Sequence, residues 1–284
     1  MSAPARDREA IGDLPNPLGI DGIEFIEYAT SRPQALGHVL ETMGFKPVAR
    51  HRSREVLLYR QGAMNVVINA HGGTDSRGDA PAERPAIAAI ALRVRDAAAA
   101  YRHALARGAW AVPTQVEVME LNIPAIHGVG ASRIYLVDRY RDFSIYDVDF
   151  VPIPAVERDP PALAGLHWFG LVQYIGNDRM EDWTEFYREL FGFEVLPDEQ
   201  RFGILPKGRI LRSPGRWAAP EPGGPRGGQM PQTGGGSSEG SFYLQLIEPE
   251  PGVLDVDDDE CWSRIGLGAP DVAAAVRALR ARGV

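Results

Sequence analysis

The sequence predicts an α+β protein made of tandem β-α-β-β-β units that pair into two similar domains, the second incomplete. Three observations carry this. Alternating apolar strands lead into amphipathic helices at four places. Each of those helices runs into a glycine, at Gly44, Gly108, Gly192 and Gly283, as a left-handed C-terminal turn requires. Shorter extended runs follow the first three helices, whereas Val284 directly follows the fourth. Such a repeat emerges only when segments are compared with one another. Each unit makes half of a curled sheet, so two units enclose a concave space.

Unit one opens with residues 20–30, where Ile23, Phe25 and Glu27 alternate with Glu24, Ile26 and Tyr28. Ser31 is a candidate N-cap, and Pro33 suits a first helical turn, where a missing N–H costs nothing. The helix stripe is Ala35, Leu36, Val39, Leu40 and Met43. Extended runs follow at 45–49, 55–61 and 64–69. His71 leads into a polar loop rich in Gly and Pro, 72–85.

Unit two has a strand at 86–96, a helix ending at Gly108, and strands at 110–112, 133–138 and 143–150. A loop carrying Pro124, His127, Gly128 and Gly130 lies between the last three. Residues 152–162 are proline-rich and read as a linker.

Unit three starts at 163 with a strand bearing His167. Asp178 is a candidate cap for a helix with the stripe Met180, Trp183, Phe186, Tyr187 and Leu190. Strands are expected at 201–206, 209–213 and 242–248. Residues 214–241 are dominated by Gly, Pro and Ser, which cannot bury enough apolar surface to order the chain, so a disordered insert is expected. Unit four begins near Ser263 and continues through a Pro270–Asp271 turn to the stripe Val272, Val276 and Leu279. Its three closing strands are absent, so open sheet edges are expected, either an aggregation hazard or a dimerisation surface. The expected organisation is a flexible lead-in at 1–17, domains at 18–151 and 163–284, and the linker between them.

Composition narrows the function. The net charge of -8 argues against nucleic acid, whose phosphates call for clustered Lys and Arg. No apolar run reaches the roughly 20 residues that span a bilayer. The N-terminal residues have no signal-peptide pattern, and Cys261 is the single cysteine, so a cytoplasmic location is expected by elimination.

The framework resembles the vicinal-oxygen-chelate superfamily. Within it, NPLGIDGIEFIEYA, MGFKPVARHRSREVLLYRQGAMNVVIN and ELNIPAIHGVGASRIYLVDRYRDFSIYDVDF are similar to the bacterial 4-hydroxyphenylpyruvate dioxygenase family. The resemblance covers nearly the whole chain except the lead-in and the insert. It implies a first domain without metal. It also implies a second domain holding Fe(II) by two His and one Glu, a small aromatic 2-oxo acid and O2 as substrates, and homogentisate as the product of tyrosine breakdown.

Transferred residue by residue, the pattern breaks. Gly170 takes the place of the first His, with His167 three residues earlier and so on the opposite strand face unless the strand bulges. Arg264 takes the place of the second His, and an always-protonated guanidinium cannot ligate a metal. The Glu belongs to a strand beyond Val284. Ile247 stands where the family has a substrate-binding Asn, and Gln245 on the same face offers an amide. The resemblance therefore implies an oxygenase whose activity in this chain is compromised. The alternatives are a metal-free binder of aromatic acids and a different lyase or isomerase of the superfamily.

Other candidates read as structural. His38 and His103 sit on helices among polar neighbours, and His51 in a polar turn. Asp147 and Asp149 share a strand face and could hold a cation only with a His partner. The acidic run 255–260 lacks the spacing of a calcium loop. Gly128 and Gly130 open no helix after a strand, and the glycine tract at 234–238 has no following Lys, so neither is a phosphate-binding motif.

Overall fold

A computed structural model describes residues 16–70, 84–113, 121–141, 143–200, 208–215, 241–248 and 260–284. In chain order the elements are β1 (Ile23–Ala29), α1 (Pro33–Thr42), β2 (Lys46–His51), β3 (Val56–Gln61), β4 (Met64–Asn69), β5 (Ala86–Arg93), α2 (Ala97–Ala106), β6 (Ala125–His127), β7 (Arg133–Val137), α3 (Ile145–Asp149) and β8 (Phe150–Pro152). They continue with β9 (His167–Tyr174), α4 (Met180–Phe191), β10 (Glu194–Val195), β11 (Arg209–Arg212), β12 (Tyr243–Ile247), β13 (Cys261–Gly268) and α5 (Val272–Ala281).

Two sheets form, ordered β6-β7-β5-β1-β4-β3-β2-β8 and β10-β11-β12-β9-β13. The repeat is visible in the pairing. β1 lies parallel to β4 and antiparallel to β5, and β9 lies in the same way against β12 and β13. The second sheet thus matches the β2-β3-β4-β1-β5 part of the first. The four helix-ending glycines have φ of +102° (Gly44), +89° (Gly108), +71° (Gly192) and +97° (Gly283), a region that side chains with a Cβ rarely occupy.

Inward alternation builds the core. Ile26, Ile90, Leu92, Ile134 and Leu136 of the first sheet join Leu171, Leu244 and Leu246 of the second around α2 and α4. The helix-facing sides of both sheets therefore share one apolar core. A second junction puts α5 against α1 and the turn at Leu163–Gly165, through Ala275, Leu279, Leu40 and Leu166. Arg282 fastens it by donating from Nε to the Thr42 carbonyl and from a terminal nitrogen to the Glu41 carbonyl, both at 2.8 Å. A cation there meets the negative end of α1.

Several local expectations change. Residues 143–150 were expected as a strand, but Ser144 and Asp147 close a reciprocal capping box that starts α3. Asp147 and Asp149 therefore share no strand face. His127 ends β6 rather than lying in a loop, and residues 110–112 contribute only a single bridge, Ala111 to Ile126. Ser31 does not cap α1, because Arg32 holds the N-cap and the Thr30 hydroxyl accepts from its backbone N–H. Asp178 adopts φ +59°, and the Glu248 carboxylate takes its place by accepting from the Met180 N–H at 3.1 Å.

On α5, Val272 and Val276 are exposed. The buried face uses Ala275, whose small side chain lets the helix approach the Leu163–Gly165 turn. Residues 153–160 lie along the first sheet: Gly62 N–H donates to the Pro160 carbonyl at 2.8 Å and Arg60 pairs with Asp159 at 2.7 Å. The expected strand at 201–206, most of the insert, His71 and most of the acidic run lie outside the described residues. Glu260, which closes that run, is partly buried. Its carboxylate accepts from Trp183 Nε1 at 2.8 Å and from Gly176 N–H at 3.0 Å. No helix among the described residues is long and apolar enough to cross a membrane.

Candidate functional site

Each sheet has a face turned away from the helices, and in the second sheet β9 and β13 build it. Trp168 and Leu171 of β9 point into the shared core, and Gln173 accepts the Tyr187 hydroxyl of α4 at 2.6 Å. Between them lies a bulge. Gly170 pairs with Gly266 and Trp168 with Leu267, so Phe169 is an extra residue on β9. The bulge changes the parity of everything before it. His167, opposite Gly268, therefore returns to the face of Val172 and Arg264, which corrects the expected opposite face.

The same bulge removes Gly170 as a side-chain position, since a Cβ there would meet the Tyr243 carbonyl oxygen at 2.7 Å. Phe169 fills the space instead, with its ring centroid 5.1 Å from that of Tyr243. Gln245 follows two residues after Tyr243 on the same face of β12, opposite Val172.

Arg264 is set by a second irregularity. Trp262 pairs with Gln173 and Arg264 with Val172, so Ser263 is extra on β13. Trp262 turns into the core and donates from Nε1 to Ser132 Oγ of the first half at 3.0 Å. Arg264 turns outward and donates to the Tyr174 hydroxyl at 3.2 Å. The face thus presents a guanidinium at one end, an aromatic pair about three residues, or about 10 Å, along the strand, and an amide beside them. His167 stands at the far end of β9, exposed, with Nδ1 3.2 Å from the Gly165 carbonyl oxygen.

This arrangement does not suit Fe(II). Arg264 repels a cation, Gly170 offers no donor, and nowhere among the described residues do three His, Cys, Asp or Glu side chains converge. Among the described residues, His167 therefore has no assembled partner ligands.

The first sheet encloses a cavity of about 790 Å³. Its apolar wall includes Phe25, Val56, Val67, Ile145 and Phe150, and its polar end is Glu27, Arg54, Asn69 and Arg133. Burial raises the Glu27 carboxyl above its ordinary value, against the opposing pull of the Asn69 amide, which donates to it at 2.9 Å, and of Arg133 and Arg54. Tyr135 receives a long hydrogen bond from Arg133 at 3.4 Å, and burial followed by the Glu27 charge raises its phenol.

Residue-by-residue reading missed this group because its members are scattered over four segments. The available signal was parity: Glu27 follows Phe25, and Arg133 precedes Tyr135, each pair on one strand face. Of the histidines, His51 ends β2 with its ring edge-on to Phe150 (centroids 5.2 Å apart) and lines the cavity with His127. His38 is exposed, and burial and then Arg107 lower the imidazole pKa of His103.

Comparison with known proteins places this geometry. Residues 14–151 match the family described as hydroxyphenylpyruvate dioxygenase, N-terminal. Over those residues, just under half of the chain, it is similar to the hydroxyphenylpyruvate dioxygenases. The 4-hydroxyphenylpyruvate dioxygenase of Pseudomonas sp. (strain P.J. 874) is 42% identical over 183 residues, covering 64% of this chain and 51% of that protein. Hemolysin VllY of Vibrio vulnificus (strain CMCP6) is 41% identical over 189 residues, 65% of this chain and 53% of the relative. The chain thus spans about half the length of these curated relatives. A solved xylose isomerase-like TIM barrel/4-hydroxyphenylpyruvate dioxygenase fusion protein superposes with a TM-score of 0.69 at 25% identity, covering 99% of this chain and 41% of that one. The fold of both sheets is accordingly that of the hydroxyphenylpyruvate dioxygenases and their vicinal-oxygen-chelate relatives.

Proposed function

We propose that this protein receives an aromatic 2-oxo acid on the helix-free face of its second sheet, without an iron centre of the type the family resemblance implies. The observation that carries this is Arg264. It stands where the resemblance implies a metal-binding His, faces outward, and is steadied by the Tyr174 hydroxyl. A planar guanidinium pairs with a carboxylate through two parallel hydrogen bonds, which a metal ligand cannot do. In this reading Arg264 takes the acid group, the Phe169–Tyr243 pair takes the ring, and the Gln245 amide supplies a donor for the 2-oxo oxygen.

The test is calorimetric titration of 4-hydroxyphenylpyruvate into chelator-treated protein. Saturable binding is expected, weakened at least tenfold in Arg264→Gln, because a hydrogen bond to a charged group contributes about 1.5–3 kcal/mol. Binding that appears only after Fe(II) is added would overturn it.

The relatives favour a second reading, a 4-hydroxyphenylpyruvate dioxygenase proper, acting with Fe(II) and O2 in tyrosine breakdown. It predicts one Fe(II) per chain and oxygen uptake that depends on the 2-oxo acid. The donor set at Gly170 and Arg264 speaks against it.

A further inference from the structure

We infer that the cavity of the first sheet is a separate binding site for a small aromatic monocarboxylate, with the ring in the apolar chamber and the carboxylate on Arg133. It does not depend on the proposed function of the second sheet. The volume, about 790 Å³, lies within the range of about 300–1,000 Å³ usual for small-molecule sites. The chamber is lined by rings and branched chains, and Phe25 and Tyr135 form a tilted aromatic pair with centroids 5.7 Å apart. Aromatic walls of this kind favour a ring over an aliphatic chain.

The polar end decides the head group. Glu27, Arg54, Asn69 and Arg133 lie at the boundary with an adjoining compartment of about 520 Å³, and all four line both spaces. Two guanidinium groups face the Glu27 carboxyl there, and Glu55 lines only the adjoining compartment. The Glu27 carboxyl accepts from Asn69, and its burial disfavours the charged form there. Asp149, the other acid in the lining, has Oδ1 turned to the Leu121 N–H at 3.1 Å. An anion entering the chamber therefore meets donors, whereas a cation would meet Arg133 and Arg54. Arg133 reaches this end from β7 with its hydrogen bond to Tyr135 long at 3.4 Å, so a carboxylate can replace it at little cost.

The experiment is titration of the full chain with phenylacetate, followed by calorimetry and by shifts of aromatic NMR signals, with 2-phenylethanol as the uncharged control. Saturable phenylacetate binding is expected, with 2-phenylethanol at least tenfold weaker. Arg133→Met should weaken phenylacetate at least tenfold at this site, and Val67→Phe should abolish the shifts of the Phe25 and Tyr135 ring signals by filling the chamber. Arg133 is exposed, so its variant tests the site even if the Val67 variant fails to fold. The inference is overturned by absence of saturable shifts at the Phe25 and Tyr135 rings, by equal shifts with the alcohol, or by indifference to Arg133→Met.

Discussion

Glu27 shows how a single side chain ties the cavity to stability. Its folded pKa lies above the ordinary value of 4.5 because burial penalises the charged form. The native state therefore holds this proton more tightly than the unfolded chain, and stability is lost as pH rises from the unfolded value through the folded one. Glu27→Gln keeps an acceptor for Asn69 and removes the charge. It should raise the melting temperature at about pH 7 and leave it unchanged below about pH 4, where both forms are neutral. A thermal melt series across pH checks this, and a variant less stable at neutral pH would contradict it.

Gln61 has no access to solvent and spans two segments, donating to the Met43 carbonyl at 3.0 Å and accepting from the Leu163 N–H at 2.8 Å. Gln61→Ala strands both groups and should cost about 2 kcal/mol in denaturant unfolding. Glu27 and Arg133 could have been suspected from strand parity. Gln61 could not, because its partners lie at positions that only the folded chain brings together.

At the scale of elements, the bulge on β9 decides the character of the second face. Gly170→Ala would push a methyl group against the Tyr243 carbonyl, and overpacking of this kind costs about 1–3 kcal/mol. The expected result is a lower unfolding midpoint, with Trp262 fluorescence reporting the loss, since β13 pairs directly with β9. Helix stops were legible in the sequence because glycine at a left-handed position is a local requirement, and Asp271 caps α5 by accepting from the Ala274 N–H at 2.9 Å. The bulges and α3 were not. A bulge depends on how two distant strands meet, and in residues 143–150 alternating apolar residues mask the Ser144–Asp147 capping box. Ser144→Ala should cost about 1 kcal/mol through that box. Asp178 gave a false signal, because a carboxylate 70 residues away, Glu248, reached the helix terminus instead.

Across the whole molecule, the repeat gives two sheets whose helix sides form one core, so the halves are expected to unfold together. Trp262 is 4% exposed, belongs to the second sheet, and bonds to Ser132 of the first half. Trp262→Ala should cost about 3–5 kcal/mol and shift a single calorimetric transition rather than split it. The repeat was readable from four helix-ending glycines, but the opposite characters of the two helix-free faces were not. One is a cavity with a half-buried acid, the other an open face with an arginine where the family resemblance implied a metal ligand. The central claim is that this second face binds an aromatic 2-oxo acid through Arg264 rather than through iron. It is tested most directly by titrating 4-hydroxyphenylpyruvate into chelator-treated wild-type and Arg264→Gln protein. Binding by the wild type that survives the chelator and falls at least tenfold in the variant is the expected result, whereas binding that requires Fe(II), or that ignores Arg264, would contradict it.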